Sequence, residues 1–68
     1  MKMRAPLNLI AYEKPGSRKA ICVLFKGETF DAVEQRQDRQ GHMWARMPFK
    51  VERFGGWVRK DFLEEVRE

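Results

Sequence analysis

Gly56-Trp57-Val58-Arg59-Lys60-Asp61-Phe62-Leu63 runs from a glycine-led aromatic strand through a short polar turn into an apolar pair. Gly55-Gly56 permits a sharp bend in an extended chain, so Val51 to Phe54 and Trp57 to Arg59 read as one long strand bent at the glycines. Lys60 to Phe62 reads as a single helical turn. Leu63 to Val66 suits a closing strand, or a continuation of that turn into a short helix. Upstream, Pro48-Phe49-Lys50 breaks the chain. His42 to Met47 alternates before it, with Ala45 and Met47 on one face and Trp44 and Arg46 on the other.

The same grammar holds back to the start. Arg36 to Gly41 has no apolar residue and ends in glycine, as a hairpin tip does. Glu28 to Gln35 is a strand with Phe30 and Ala32 on one side and Asp31 on the other, although Val33 breaks the alternation. Ala20 to Phe25 is a strand with apolar residues on both parities. Lys26-Gly27 ends it, with Gly27 in a conformation that other residues resist. Glu13 to Arg18 contains Pro15-Gly16 and is a loop. In Pro6 to Tyr12, Leu7, Leu9 and Ala11 alternate with Asn8, Ile10 and Tyr12, which gives the first strand. Five or six short strands remain. Closing them into a small barrel buries one face of each and removes most free edges.

A chain of 68 residues is one domain, 1–68. Such a chain buries only about 60% of the surface its unfolded form exposes, so its large aromatics matter to its stability. Cys22 is the single cysteine, which excludes an internal disulfide, and it lies in an apolar run as a small buried hydrophobe does. No stretch approaches the roughly 20 apolar residues of a membrane span. Met1-Lys2-Met3-Arg4 resembles the start of an export signal, but the apolar stretch that follows is short and contains Asn8. The expectation is a cytoplasmic protein, or a domain cut from a longer one, with no membrane partner.

The net charge of +4 is unevenly placed. Residues 1–27 carry Lys2, Arg4, Lys14, Arg18, Lys19 and Lys26 against Glu13 alone, whereas the basic and acidic groups of 28–68 nearly cancel. That asymmetry favours an acidic partner, while also serving as a solvated rim.

Catalytic and metal chemistry find little footing. One histidine, His42, and one cysteine cannot assemble a protein metal site by themselves. Ser17 sits in the loop and Cys22 in the apolar run, so neither pairs with His42 as an activated nucleophile. Glu64 and Glu65 are adjacent and point in different directions. Gly55-Gly56 feeds a strand rather than a helix, so it is no phosphate cradle. The expectation is no enzyme, no metal and no cofactor.

Taken in order, Leu7-Asn8-Leu9, the proline-containing loop, Leu24 three residues before Gly27, Glu28, Trp44 with Met47, Gly56-Trp57-Val58 and Phe62-Leu63 resemble the bacterial Src homology 3-like domains. The resemblance covers residues 7–66. It implies an all-β fold, a small Src homology 3-like barrel of five or six short antiparallel strands with one short helical turn near the C-terminus. It also implies a groove between two loops. Trp44 corresponds to the groove tryptophan at the start of the fourth strand, and Phe62 to the aromatic of the final helical turn. Tyr12 sits where the first strand enters the long loop, and Glu13 is that loop's first acidic residue. Two departures bear on the ligand. Arg59 stands where eukaryotic members usually carry proline, and the long loop is basic rather than acidic. A proline-rich peptide with basic flanks is therefore not the expected ligand.

The expected function is a non-catalytic module that binds a protein or peptide of acidic character. Its groove is built by Tyr12, Glu13, Trp44, Phe54 and Phe62, and Lys14, Arg18, Lys19 and Arg59 supply the basic preference. Trp44 shares a face with Arg46 and is expected at the surface. Trp57 is expected to pack in the core or at the rim. The alternative is a small barrel that binds nucleic acid, with phosphates on Lys and Arg and bases stacked on Tyr12, Trp44 or Phe49. A subunit that pairs through edge strands or an apolar rim is a third possibility, and the oligomeric state stays open.

Overall fold

The computed structural model describes residues 1–48 and 55–67. The fold is all-β, with one 3-10 turn at Lys60–Phe62. Eight strands are present among the described residues: β1 Lys2–Arg4, β2 Leu9–Tyr12, β3 Ala20–Leu24, β4 Thr29–Asp31, β5 Glu34–Gln37, β6 Met43–Arg46, β7 Trp57–Arg59 and β8 Glu64–Glu65. They form two antiparallel sheets, β4-β1-β8 and β3-β2-β7-β6-β5. The expected five or six strands become eight because Lys2–Arg4 adds a strand ahead of the first expected one and one expected strand divides at a change of sheet. The chain leaves β1 through Ala5–Asn8 to enter β2. It leaves β4 through Ala32 and Val33 to enter β5, so the single strand expected over 28–35 is two strands. Strands that bend from one sheet into another make the corners of a small sandwich or barrel. Among the described residues the ladders leave this barrel open. The segment 51–54, expected as half of a bent strand, lies outside the described residues, as do Phe49 and Phe54.

Alternation explains which side chains meet between the sheets. Met3 and Phe30 are register partners on β1 and β4 and point inward. Facing them are Ala11 of β2, Leu24 of β3, Ala45 of β6 and Val58 of β7, with Ala5 and Met47 completing the buried cluster. Leu9, Cys22, Ala32 and Leu63 pack against it. The inner face of the larger sheet is thus mostly small residues. At Gly56 a Cβ would lie 2.9 Å from the Ala11 Cβ and 3.0 Å from Ile21 Cδ1. The chain entering β7 therefore needs glycine there because it passes too close to β2 for any side chain.

Two local devices orient the outer face. β2 and β3 slip by one residue between Ala11 and Tyr12, so that Tyr12 pairs with Ala20 rather than Ile21. This bulge increases the local twist. Gly27 has φ +88°, as expected, and its turn is pinned from both sides. Glu28 Oε1 accepts from the Phe25 N–H at 3.1 Å, and Asn8 Oδ1 accepts from the Lys26 N–H at 2.8 Å. No helix of the described residues is long and apolar enough to cross a membrane.

Candidate functional site

On the outer face of the large sheet, register places Arg36, Trp44 and Arg59 in one row across β5, β6 and β7. Glu34, Arg46, Trp57 and Tyr12 form the next row, which extends onto β2. The largest side chains of the protein therefore face away from the core. Trp57 is nonetheless only 6% exposed, because the guanidinium groups of Arg36 and Arg46 lie 5.7 and 6.0 Å from its ring centroid. Glu34 holds both arginines, at 2.6 Å for Arg36 Nε and 3.3 Å for Arg46 Nε. The second contact lacks the alignment of a hydrogen bond, since Arg46 Nε has no hydrogen-bond partner.

Trp44 lies on the outer side, as its parity indicates, but the expectation of a surface-exposed indole is not met. It is 6% exposed. Tyr12 packs edge-on against it at a centroid distance of 5.8 Å, and its Nε1–H donates to Asp38 Oδ2 at 2.8 Å. Asp38 organises the whole hairpin tip. Its Oδ1 accepts from the Gln40 and His42 N–H groups, both at 2.9 Å, and its own N–H donates to the His42 carbonyl. The Trp44 indole N–H is the largest influence holding this carboxyl below its ordinary value of 3.8. Partial desolvation opposes it, and the two backbone donors and the nearby His42 reinforce it.

Between this tip and the 13–19 loop lies an open groove of about 1030 Å³. Tyr12, Trp44 and Phe62 line it, as do Lys14, Arg18 and Arg59. The two loops approach closely at one place, where a Cβ on Gly16 would lie 3.5 Å from Asp38 Cβ. Six of the nine residues picked from the sequence thus converge. Glu13 and Lys19 do not line the groove; they face each other across the base of the loop at 3.8 Å, tied by a Glu13 N–H to Lys19 carbonyl bond. Phe54, the ninth, is outside the described residues. Arg39, Gln40 and His42 also line the groove and were missed, because a polar hairpin tip carries no signal of the surface it leans over.

Charge and aromatic surface are distributed unequally around the groove. Among the described residues, Lys14, Arg18 and Arg39 have no ion pair, and Asp38, the one carboxylate lining the groove, has both oxygens engaged. Arg59 is committed internally. Its guanidinium donates to Asp61 Oδ2 at 2.7 Å and to His42 Nδ1 at 3.0 Å, and it sits 4.8 Å from the Phe62 ring centroid. Because arginine can only donate, His42 Nδ1 is the acceptor, which places the proton of the neutral ring on Nε2. Phe62 is 52% exposed and is the most accessible of the groove aromatics. Among the described residues no three His, Cys, Asp or Glu side chains gather as metal ligands would.

Comparison with family models, curated proteins and solved structures finds no match to this chain.

Proposed function

We propose that the protein is a non-catalytic, cytoplasmic binding module of Src homology 3-like type, whose groove takes an extended, acidic segment of a protein. The observation that carries this reading is the meeting of an aromatic floor, Tyr12, Trp44 and Phe62, with Lys14, Arg18 and Arg39, which have no ion pair among the described residues, along one groove. A volume of about 1030 Å³ is at the upper end for small-molecule pockets, which enclose most of their ligand, and this groove is open. An extended chain fits such a shape better than a compact metabolite. Trp44 serves as part of the groove floor rather than as a hydrogen-bond donor to the ligand, since Asp38 already holds its N–H. A binding role also suits the engagement of the polar groups nearby. His42 Nδ1 accepts from Arg59, and Ser17 Oγ accepts from the Lys19 N–H at 3.0 Å.

The same cations would suit phosphates, and salt dependence separates the two ligands. A labelled acidic peptide and a labelled single-stranded oligonucleotide are titrated by fluorescence anisotropy at two ionic strengths. The peptide reading expects saturable peptide binding that Phe62→Ala weakens more than Arg39→Ala does. Preference for the oligonucleotide, with log affinity falling by about 0.7 per phosphate contact for each decade of salt, would refute it.

A further inference from the structure

We propose that the bound segment has two chemically different halves: acidic residues against Lys14, Arg18 and Arg39, and a bulky apolar residue seated on a shelf made by Ile10, Val23 and Phe25. The inference rests on the groove reading and adds a second subsite to it. Ile10 and Val23 are register partners that face outward, and Phe25 shares the outward parity of Val23. They are 48%, 41% and 55% exposed. Ile10 also lines the groove, so the shelf and the groove share that residue.

The surface is polarised. β3, from Ala20 to Leu24, carries no charge, while Lys14, Arg18 and Arg39 stand on the 13–19 loop and the hairpin tip. A wholly acidic ligand would leave the shelf wet, and a wholly apolar one would leave the cations without partners. The shelf is also preorganised. The bonds from the Phe25 N–H to Glu28 and from the Lys26 N–H to Asn8 fix the turn that presents Phe25 before any ligand arrives. A second copy of the chain is a poor occupant. Three half-exposed side chains offer on the order of 200 Å², against about 800 Å² per partner in a stable interface.

The test uses three fluorescein-labelled synthetic peptides of equal length. One has a glutamate-rich half and a half containing leucine and phenylalanine; in the others, either half is replaced by serine and glycine. Wild type is expected to bind the two-part peptide about tenfold more tightly than the version lacking the apolar half. Val23→Lys and Phe25→Ser are each expected to cut that advantage to about twofold or less, and Phe25→Ser, which adds no charge, is expected to leave affinity for the acidic-only peptide unchanged. Phe25 lies outside the strand, so Phe25→Ser still decides the matter if Val23→Lys does not fold.

Equal affinity for the two-part and acidic-only peptides, with both weakened by Phe62→Ala, overturns the shelf and leaves the groove standing. Persistence of the advantage in Phe25→Ser also overturns it. Binding of none of the three peptides alongside binding of a single-stranded oligonucleotide brings down the groove reading itself. A wild-type dimer in sedimentation, dispersed by Val23→Lys, assigns the shelf to a second copy and overturns the proposal.

Discussion

The two faces of the five-stranded sheet are filled in opposite ways. Inward, Ala11, Ala45 and Val58 are small, because Met3 and Phe30 of the other sheet fill the space opposite them. Outward, on the same strands, stand Tyr12, Trp44 and Trp57 with Arg36, Arg46 and Arg59 between them. The outward tryptophans are as well covered as the inward Phe30, at 6% exposure each. Their cover is of a different kind, made of guanidinium groups, a carboxylate and the Tyr12 ring in place of a second sheet. Pointing outward and being exposed are therefore separate properties. In so small a chain the outer face buries much of the aromatic area and still presents a groove.

Breaking the inner face is expected to have the largest effect. Leu24 is 1% exposed, and Leu24→Ala is expected to cost about 2–5 kcal/mol in urea denaturation through the lost contacts and the cavity left behind. Gly56→Ala comes next, at about 1–3 kcal/mol, because its new methyl meets the Ala11 Cβ, which lies too close to the backbone to swing aside. Wild-type stability in Gly56→Ala would show that β7 and β2 are not packed as described.

The outer face is held by directed bonds, so it is expected to respond to pH where the inner face does not. The Asp38 carboxyl has a lower pKa in the folded chain than its ordinary 3.8. Its contribution is therefore fully present above the unfolded value and is lost as pH falls through the folded value. Acidification below about pH 3.8 is expected to release the hairpin tip and alter tryptophan fluorescence. Asp38→Asn is expected to be less stable at pH 7 and to lack its share of the acid-dependent loss. Parallel stability profiles for wild type and Asp38→Asn from pH 5 to pH 2.5 would contradict this. Smallest in stability is Phe62→Ala. Its ring is half exposed and stacks with Arg59, so under about 1 kcal/mol is expected, accompanied by a clear loss of peptide affinity.

Much of this architecture could be read from local residue patterns. Gly27, the polar hairpin tip and the single turn at Lys60–Phe62 stand where glycine, polarity and spacing placed them. The closing strand at Glu64–Glu65 resolves the choice left open over 63–66, because Glu65 pairs with Met3 across almost the whole chain. β1 was not foreseen, since Lys2-Met3-Arg4 is three residues with one apolar member, too short to show a period. The corner at Ala32–Val33 has neither glycine nor proline; only the broken alternation at Val33 hinted at it. Within the site, the outward parity of Trp44 was readable from alternation, whereas the meeting of Tyr12, Trp44 and Phe62 in one groove was expected only from the family resemblance. The coverage of Trp44 was not, because it depends on Tyr12 arriving from another strand and on Asp38 folding back across its own hairpin. The pairing of Glu13 with Lys19 likewise depends on how the loop closes at its base.

The most direct test of the central claim is a two-dimensional NMR titration of the labelled protein with the two-part acidic and apolar peptide. The account predicts saturable shifts in the 14–18 and 38–42 backbone amides, Arg59 and Phe62. The Trp44 indole N–H is predicted to stay bonded to Asp38 throughout. Saturable shifts confined to other parts of the barrel, or no shifts with the peptide and strong ones with a single-stranded oligonucleotide, would contradict it.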